Sequence, residues 1–374
     1  MRSKKFILLV VLFLLLLSQI PFAYRRFKLR RLSSAIQQLN NQRTPAQPNG
    51  FTEYKGVVHV HSFLGGHSAG TFSEIISAAQ ANQLQFVIMT EHTEKEFDTA
   101  AMTLQGIHGG VLFINGNEVS AENGDRLLKL PGDVSIVAYP QEFRNWDTAQ
   151  VNGVEVYNVF TNARQVNPMI AFFDVLWSQR SYPDLIFALY FQRPDESLKK
   201  WDQALTRTRL TATGGNDAHA NIGASLNDSS GKKLLGIQLD PYEVSFRLVR
   251  LHVLIEQNKP LDATSLIEAV RAGHCFVGFD FLGDPSGFAF EAENGGGRKI
   301  QGEEISLQGD TKFRVRSPLP AAVTILKNGS VFTSDSNLTY KEFPITERGV
   351  YRTEVYLPQL GNRLWIISNP IYVR

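Results

Sequence analysis

The sequence predicts an α/β protein in which an apolar N-terminal helix precedes a barrel of short parallel strands and helices, and a small antiparallel β-sandwich closes the chain. Three observations predict it. Residues Phe6 to Leu17 carry no polar side chain; from Phe51 to Phe279 short apolar runs alternate with helical or loop segments; beyond Gly283-Asp284-Pro285 the texture changes to closely spaced alternating strands with turn residues. The boundaries are 1–24 for a signal anchor or transmembrane helix, 25–50 for a basic and polar linker, 51–282 for the barrel and 283–374 for the sandwich.

The basic start Met1-Arg2-Ser3-Lys4-Lys5 ahead of that apolar core fits either an uncleaved signal anchor or a signal peptide. Pro21-Phe22-Ala23 is a poor cleavage site, and with it the apolar stretch approaches the roughly 17–25 residues that span a bilayer, which favours the anchor. Arg2, Lys4 and Lys5 are matched on the far flank by Arg25, Arg26, Lys28, Arg30 and Arg31, so charge alone assigns no orientation. The expectation is a single-pass membrane protein with its body on the extracytoplasmic side. Leu32 to Gly50, rich in Gln, Asn, Ser and Pro, reads as a tether.

Strand-like runs follow at Gly56–His61, Phe86–Met89, Val111–Ile114, Val134–Ala138, Val154–Tyr157, Leu210–Thr213 and Cys275–Phe279. Thr71-Phe72-Ser73-Glu74 is a capping-box start for a helix with Phe72, Ile75, Ile76 and Ala79 on one face. Amphipathic stretches at Met169–Ser178 and Glu196–Thr208 read as a helical insertion, and Ser265–Ala272 as one more helix. The sandwich strands are expected at Phe288–Glu291, Lys312–Val315, Val323–Leu326, Tyr351–Tyr356 and Leu364–Ile367, with turns at Asn294–Gly297 and Lys327–Gly329.

Length and composition, 374 residues at 43% hydrophobic, suit a large domain plus a smaller one. The 38 basic and 36 acidic residues nearly cancel, which argues against nucleic acid as a partner. One cysteine, Cys275, rules out an intrachain disulfide, and its apolar setting reads as a buried, inert thiol. Asn227, Asn328 and Asn337 head Asn-x-Ser/Thr triplets, which matter only in a secretory compartment.

The chemistry lies in clusters of His, Asp and Glu that follow the strands. His59 and His61 are two apart on a strand and share a face; His67 sits in the Gly-rich loop Gly65–Gly70; Glu91-His92, Glu118 and the pair Asp217 and His219 follow later strands. All fall at the C-terminal ends of strands, where barrels of this type gather their sites. Mixed His/carboxylate ligands suit Zn²⁺, Mn²⁺, Fe or Co, and their number suits at least two ions bridged by a carboxylate such as Glu118. Arg164 is read either as a steering charge for an anionic substrate or as surface. His108, His252 and His274 read as structural histidines.

In order, His59-Val60-His61-Ser62, His67, Thr90-Glu91-His92, Gly116-Asn117-Glu118, Gly153–Asn158 and Asn216-Asp217-Ala218-His219 resemble the motifs of the PHP (polymerase and histidinol phosphatase) domain of metal-dependent phosphoesterases, over residues 51–282. The C-terminal part, with Ile367–Tyr372, looks like the carbaryl-hydrolase-like branch, and an Ig-like sandwich is expected of it. The resemblance implies a distorted seven-stranded (β/α) barrel with up to three ions at its rim. His59, His61, Glu118 and Asp217 would hold one ion, and His67, His92 and His219 its neighbours. Tyr139 stands where the family has a His, and Asp125 where the branch tends to have one; Asp125 is read as a stand-in oxygen ligand or as solvent-exposed. Glu91, for the usual Asp, is expected to orient His92. These departures favour a dinuclear over a trinuclear site.

The resemblance implies a metal-dependent hydrolase, foremost a phosphoesterase, using a metal-activated hydroxide on a small, anionic ester. His219 is the candidate proton donor and Asp217 its catalytic companion. The alternatives are a carbamate or carboxyl-ester hydrolase and a membrane-tethered binding protein with a degenerate site.

Overall fold

Runs of β-branched and aromatic residues form strands that place His59, His61, His92, Asp217 and His219 at or just past their C-terminal ends. The computed structural model describes residues 2–146, 150–221, 223–227, 233–238 and 240–374 and has a mixed α/β fold. The strands nearest the site are β1 (Phe51–Val60), β2 (Phe86–Met89), β3 (Val111–Ile114), β4 (Asn117–Ser120), β5 (Arg126–Leu130), β6 (Val134–Val137), β7 (Gly153–Asn158) and β8 (Thr211–Gly215).

Pairing runs in parallel from β1 to β2 and from β2 to β3. Glu91–His92 then pairs with β4, which turns back antiparallel through β5 to β6 before parallel pairing resumes through β7 to β8. Past β8, Asn216 N donates to Val58 O at 2.9 Å and Ala218 N to His59 O at 3.1 Å, so the hydrogen-bonded path returns to β1. The hairpin β4–β5 is a departure from the all-parallel expectation. It arises because Asn123-Gly124 supplies a turn, Gly124 having φ +85°, directly after β4.

On the other side β1 pairs antiparallel with β9 (Arg250–Glu256), a strand not read from the sequence, and β9 with β10 (Cys275–Gly278). The helix α2 (Phe72–Ala81) begins with the expected capping box, Thr71 Oγ1 accepting from Glu74 N and Glu74 accepting from Thr71 N. Its Ile75, Ala78 and Ala79 pack with Val57, Val87 and Phe113 in one buried cluster.

Two expectations about organisation are corrected. The linker expected at 25–50 is, up to Asn40, a continuation of one helix, α1 (Arg2–Asn40). Leu29 and Leu39 are buried and Leu32 and Ile36 packed against the core, a spacing of three, four and three that makes one helical face. The chain beyond it is also tied down: Thr44 N donates to Pro318 O at 2.9 Å and Arg43 to the carbonyls of Asp284 and Ser286. Gln- and Asn-rich composition masked this apolar stripe.

Second, the C-terminal strands continue the same sheet. Beyond β11 (Ala289–Asn294), β12 (Lys312–Lys327) and β13 (Ser330–Pro344) come β14 (Gly349–Leu357) and β15 (Arg363–Ser368), and β15 pairs with β10. The runs read as separate strands at 312–315 and 323–326 are one long strand with a register shift at Arg316/Ala321, around Pro318 and Pro320. Asn328 and Gly329, at φ +51° and +81°, make its tight turn into β13. Buried Arg352 of β14 binds Asp202 of α4 (Asp195–Leu205) through two bonds of 2.7 Å. Asn369 satisfies both backbone groups of Ala212 in β8. Asn328 and Asn337 are exposed, whereas Asp228 and Ser229 of the third triplet lie outside the described residues.

Candidate metal centre

His59 does not occupy an ordinary strand position. It has φ +68° at a register shift between Val58 and Val60, a bulge that aims its ring at the site. Asp217 is likewise at φ +48°. Left-handed backbone at a non-glycine residue costs on the order of 1–3 kcal/mol and persists where surrounding contacts enforce it. Here the Asn216 and Ala218 bonds to β1 do so.

The side chains converge on two carboxylate oxygens. Glu118 Oε2 lies 3.4 Å from His59 Nε2, 3.6 Å from His61 Nε2 and 3.4 Å from His92 Nδ1. Asp217 Oδ1 lies 3.6 Å from His59 Nε2 and from His61 Nε2, and 3.3 Å from His219 Nδ1. A tetrahedral ion with bonds near 2.0–2.2 Å separates its ligands by about 3.3–3.6 Å. His59, His61 and Glu118 form one potential ion-binding group and His61, His92 and His219 another, the ligand atoms of each lying within 4.8 Å of one another.

His61 provides the test of fit. It is fully buried, and neither ring nitrogen has a hydrogen-bond partner among the described residues. Such an orphan costs about 1–3 kcal/mol unless an ion or other group satisfies it. Burial and the neighbouring histidines His219 and His59 hold its pKa well below the ordinary value, leaving the neutral imidazole that binds metals. Burial likewise lowers His92 to about 4, with His219 and His67 adding to it against Glu118. Glu118 is pushed upward by burial, but its bonds to His59 and Arg126 outweigh this and bring it down to about 2. The residues fit a divalent cation.

The supporting contacts were mostly not read from the sequence. Glu155 Oε1 accepts from His59 Nδ1 at 2.8 Å, turning Nε2 to the centre, and Asn158 Nδ2 holds the other Glu155 oxygen at 2.8 Å. A Cβ at Gly215 would sit 1.5 Å from Glu155 Oε1, so this glycine makes room for the carboxylate. Arg126 Nη1 donates to Glu118 Oε1 at 2.9 Å. Arg126 pairs with Ser120, two residues from Glu118 on β4, and so reaches it diagonally across the hairpin. Tyr242 donates to His61 O at 2.6 Å.

Several individual expectations change. Tyr139 is no ligand: its hydroxyl donates to Asp217 Oδ2 at 2.7 Å, and burial together with that carboxylate raises its pKa. Asp125 is neither ligand nor exposed. It is buried and accepts from the backbone of Arg144 and Asn145, bracing a loop. Glu91 accepts from Thr103 Oγ1 and Ser62 N rather than from His92, so it ties two loops beneath the site.

His67 is exposed, its ring 5.0 Å from that of His92 at the rim, outside both groups. His219 donates from Nδ1 to Asp217 O at 3.0 Å and has Nε2 3.5 Å from His92 Nε2, the position of a ligand. Arg164 stacks over Phe160 at the surface. Cys275 is buried beside Asn369, and burial raises its thiol pKa. His252 is held between Glu53 and Asp280.

Comparisons with known proteins leave this geometry as the guide to function. No family model, curated protein or solved structure matches the chain.

Proposed function

We propose that this chain is a membrane-anchored, metal-dependent phosphoesterase on a PHP-type barrel. The observation that carries the reading is Glu118, whose Oε2 faces His59, His61 and His92 at 3.4–3.6 Å, a mixed histidine and carboxylate set that would hold a divalent ion. The ordered PHP-like motifs, and the return of hydrogen bonding from Ala218 to β1, agree with it.

Divalent ions in these two groups, zinc, manganese or iron, would supply an acidified water and positive charge for the ester oxygens. The chain's own residues set the geometry. Tyr139 and Asn158 hold Asp217 Oδ2, at 2.7 and 3.2 Å, so that Oδ1 stays turned to the histidines. Glu155 fixes which nitrogen His59 presents, and Arg126 offsets the charge of Glu118. His219 stands between the cluster and a cleft of about 350 Å³, where it would contact the ester.

We read α1 as an uncleaved anchor. Its apolar window is unburied, while its later turns hold the body through Leu29, Leu39 and the bond from Trp177 Nε1 to Gln19 Oε1 at 3.0 Å. Removal at a site near Ala23 would strip away Gln19 with its bond to Trp177, and Phe22 with its ring contact to Phe173.

The test uses the full chain in detergent, loaded with zinc or manganese, on bis(p-nitrophenyl) phosphate, p-nitrophenyl phosphate and an aryl carbamate. Diester turnover that falls by at least about a thousandfold in Asp217→Ala is expected. Turnover of the carbamate alone would move the reading to carbamate hydrolysis. Metal binding without turnover of any ester would overturn the phosphoesterase reading.

A further inference from the structure

The helix α3 (Pro168–Ser178) is apolar but for the buried Asp174 and Ser178, yet protein covers only part of it. Asn167 caps it, accepting from Met169 N and Ile170 N, and Pro168 opens its first turn. Within it Asp174 is the sole charged residue, and Arg25 of α1 neutralises it through bonds of 2.7–2.9 Å. Met169, Phe172 and Leu176 are 71%, 44% and 60% exposed. A helix hydrophobic on every side belongs in a core or a membrane.

Its position says which. Phe22 packs on Phe173 with ring centroids 4.9 Å apart, Trp177 bonds Gln19, and Arg26 reaches Trp177 O and the Tyr182 ring. Thus α3 lies along the turns of α1 where the apolar run gives way to Arg25 and Arg26. Trp, Tyr and Arg at such a junction is the composition of a bilayer interface.

The other side of α3 lines the cleft that ends at Asp217 and His219. Ala171 and Val175 from the helix, with Val166, Ile186, Phe187 and Val244, make its wall largely apolar. A small hydrophilic ester has no use for such a wall, whereas an acyl chain does. One helix therefore has an outer face suited to lipid and an inner face suited to a lipid's tail.

We propose that the substrate is a membrane lipid with a phosphoester headgroup, drawn from the bilayer along α3, with its tail between α3 and Phe187 and its phosphorus at the ligand cluster. This deepens the phosphoesterase reading and rests on it and on the retained anchor. The tail site is nonetheless measurable without turnover.

The full chain is placed in phosphatidylcholine vesicles containing a phosphatidic acid whose acyl chain bears a photoactivatable diazirine, and labelled residues are mapped by mass spectrometry. Labelling is expected at Ala171, Val175 and Phe187 as well as on the apolar turns of α1. Ala171→Trp, which fills the cleft, should cut the Val175 and Phe187 labelling at least about fivefold while α1 labelling persists and reports an intact, inserted protein. Labels confined to α1 and to the outward residues Met169 and Phe172 would overturn the proposal. Bis(p-nitrophenyl) phosphate turnover separates the two readings. Turnover without cleft labelling rejects the lipid and keeps the phosphoesterase; cleft labelling without turnover keeps the tail site and rejects the chemistry.

Discussion

Arg126 Nη1 donates to Glu118 Oε1 at 2.9 Å and so leaves Oε2 to the histidines. The guanidinium fixes the carboxylate's rotation and partly offsets its charge. Arg126→Met should therefore weaken divalent-metal affinity by about 10–100-fold, the usual loss when a group behind a ligand is removed. Competition with a fluorescent zinc chelator measures it. An unchanged affinity would mean that Glu118 needs no such brace.

Gly215 makes a sharper test of the layer behind the ligands. In Gly215→Ala the new methyl meets Glu155 Oε1 at 1.5 Å, so the carboxylate has to leave His59 Nδ1. Loss of metal affinity similar to that of Glu155→Ala is expected, with little further loss in the double variant, because both changes remove one hydrogen bond. Additive losses would show that Gly215 acts by another route.

His252 gives a pH dependence. It is buried between Glu53 Oε1 at 2.7 Å and Asp280 Oδ1 at 3.1 Å. Burial alone would lower its pKa, but the two carboxylates outweigh that and raise it to about 9. With the folded value above the unfolded one of about 6.5, its contribution is complete below about pH 6.5 and is lost as pH rises through about 9. Urea midpoints from pH 6 to 10 should show the wild-type advantage over His252→Gln, about 3 kcal/mol at most, shrinking across that window. A constant difference would contradict a charged His252.

Arg352 tests whether the C-terminal strands are joined energetically to the rest. It is 2% exposed and shared between Asp202 and Glu354, each bond 2.7 Å. Arg352→Ala strands these carboxylates and should cost about 3–5 kcal/mol, seen as a lower urea midpoint of a single transition. Two separate transitions in the wild type would show that the C-terminal part folds independently.

The candidate ligands were legible because His, Asp and Glu recur at fixed places after apolar runs. His59, His61, His92, Glu118, Asp217 and His219 meet in space, while His67 stays at the rim. What holds them was less legible. Glu155 lies in the Gly153–Asn158 motif, but the space left by Gly215 that lets it face His59 comes from another strand. Arg126 reaches Glu118 through a hairpin pairing that spacing along one strand does not reveal. The apolar stripe of Leu29, Leu32, Ile36 and Leu39 was hidden among Gln, Asn and Arg, so a docked helix read as a tether. The capping box at Thr71 and Glu74 was plain, since both halves of that motif are local.

Metal stoichiometry bears most directly on the candidate centre. The full chain, purified in detergent without chelator and equilibrated with zinc, would be analysed by elemental mass spectrometry beside Glu118→Ala. About two ions per wild-type chain, falling to one or fewer in Glu118→Ala, is the predicted result. Less than one tightly held ion in the wild type, or two retained without Glu118, would contradict a carboxylate-bridged pair.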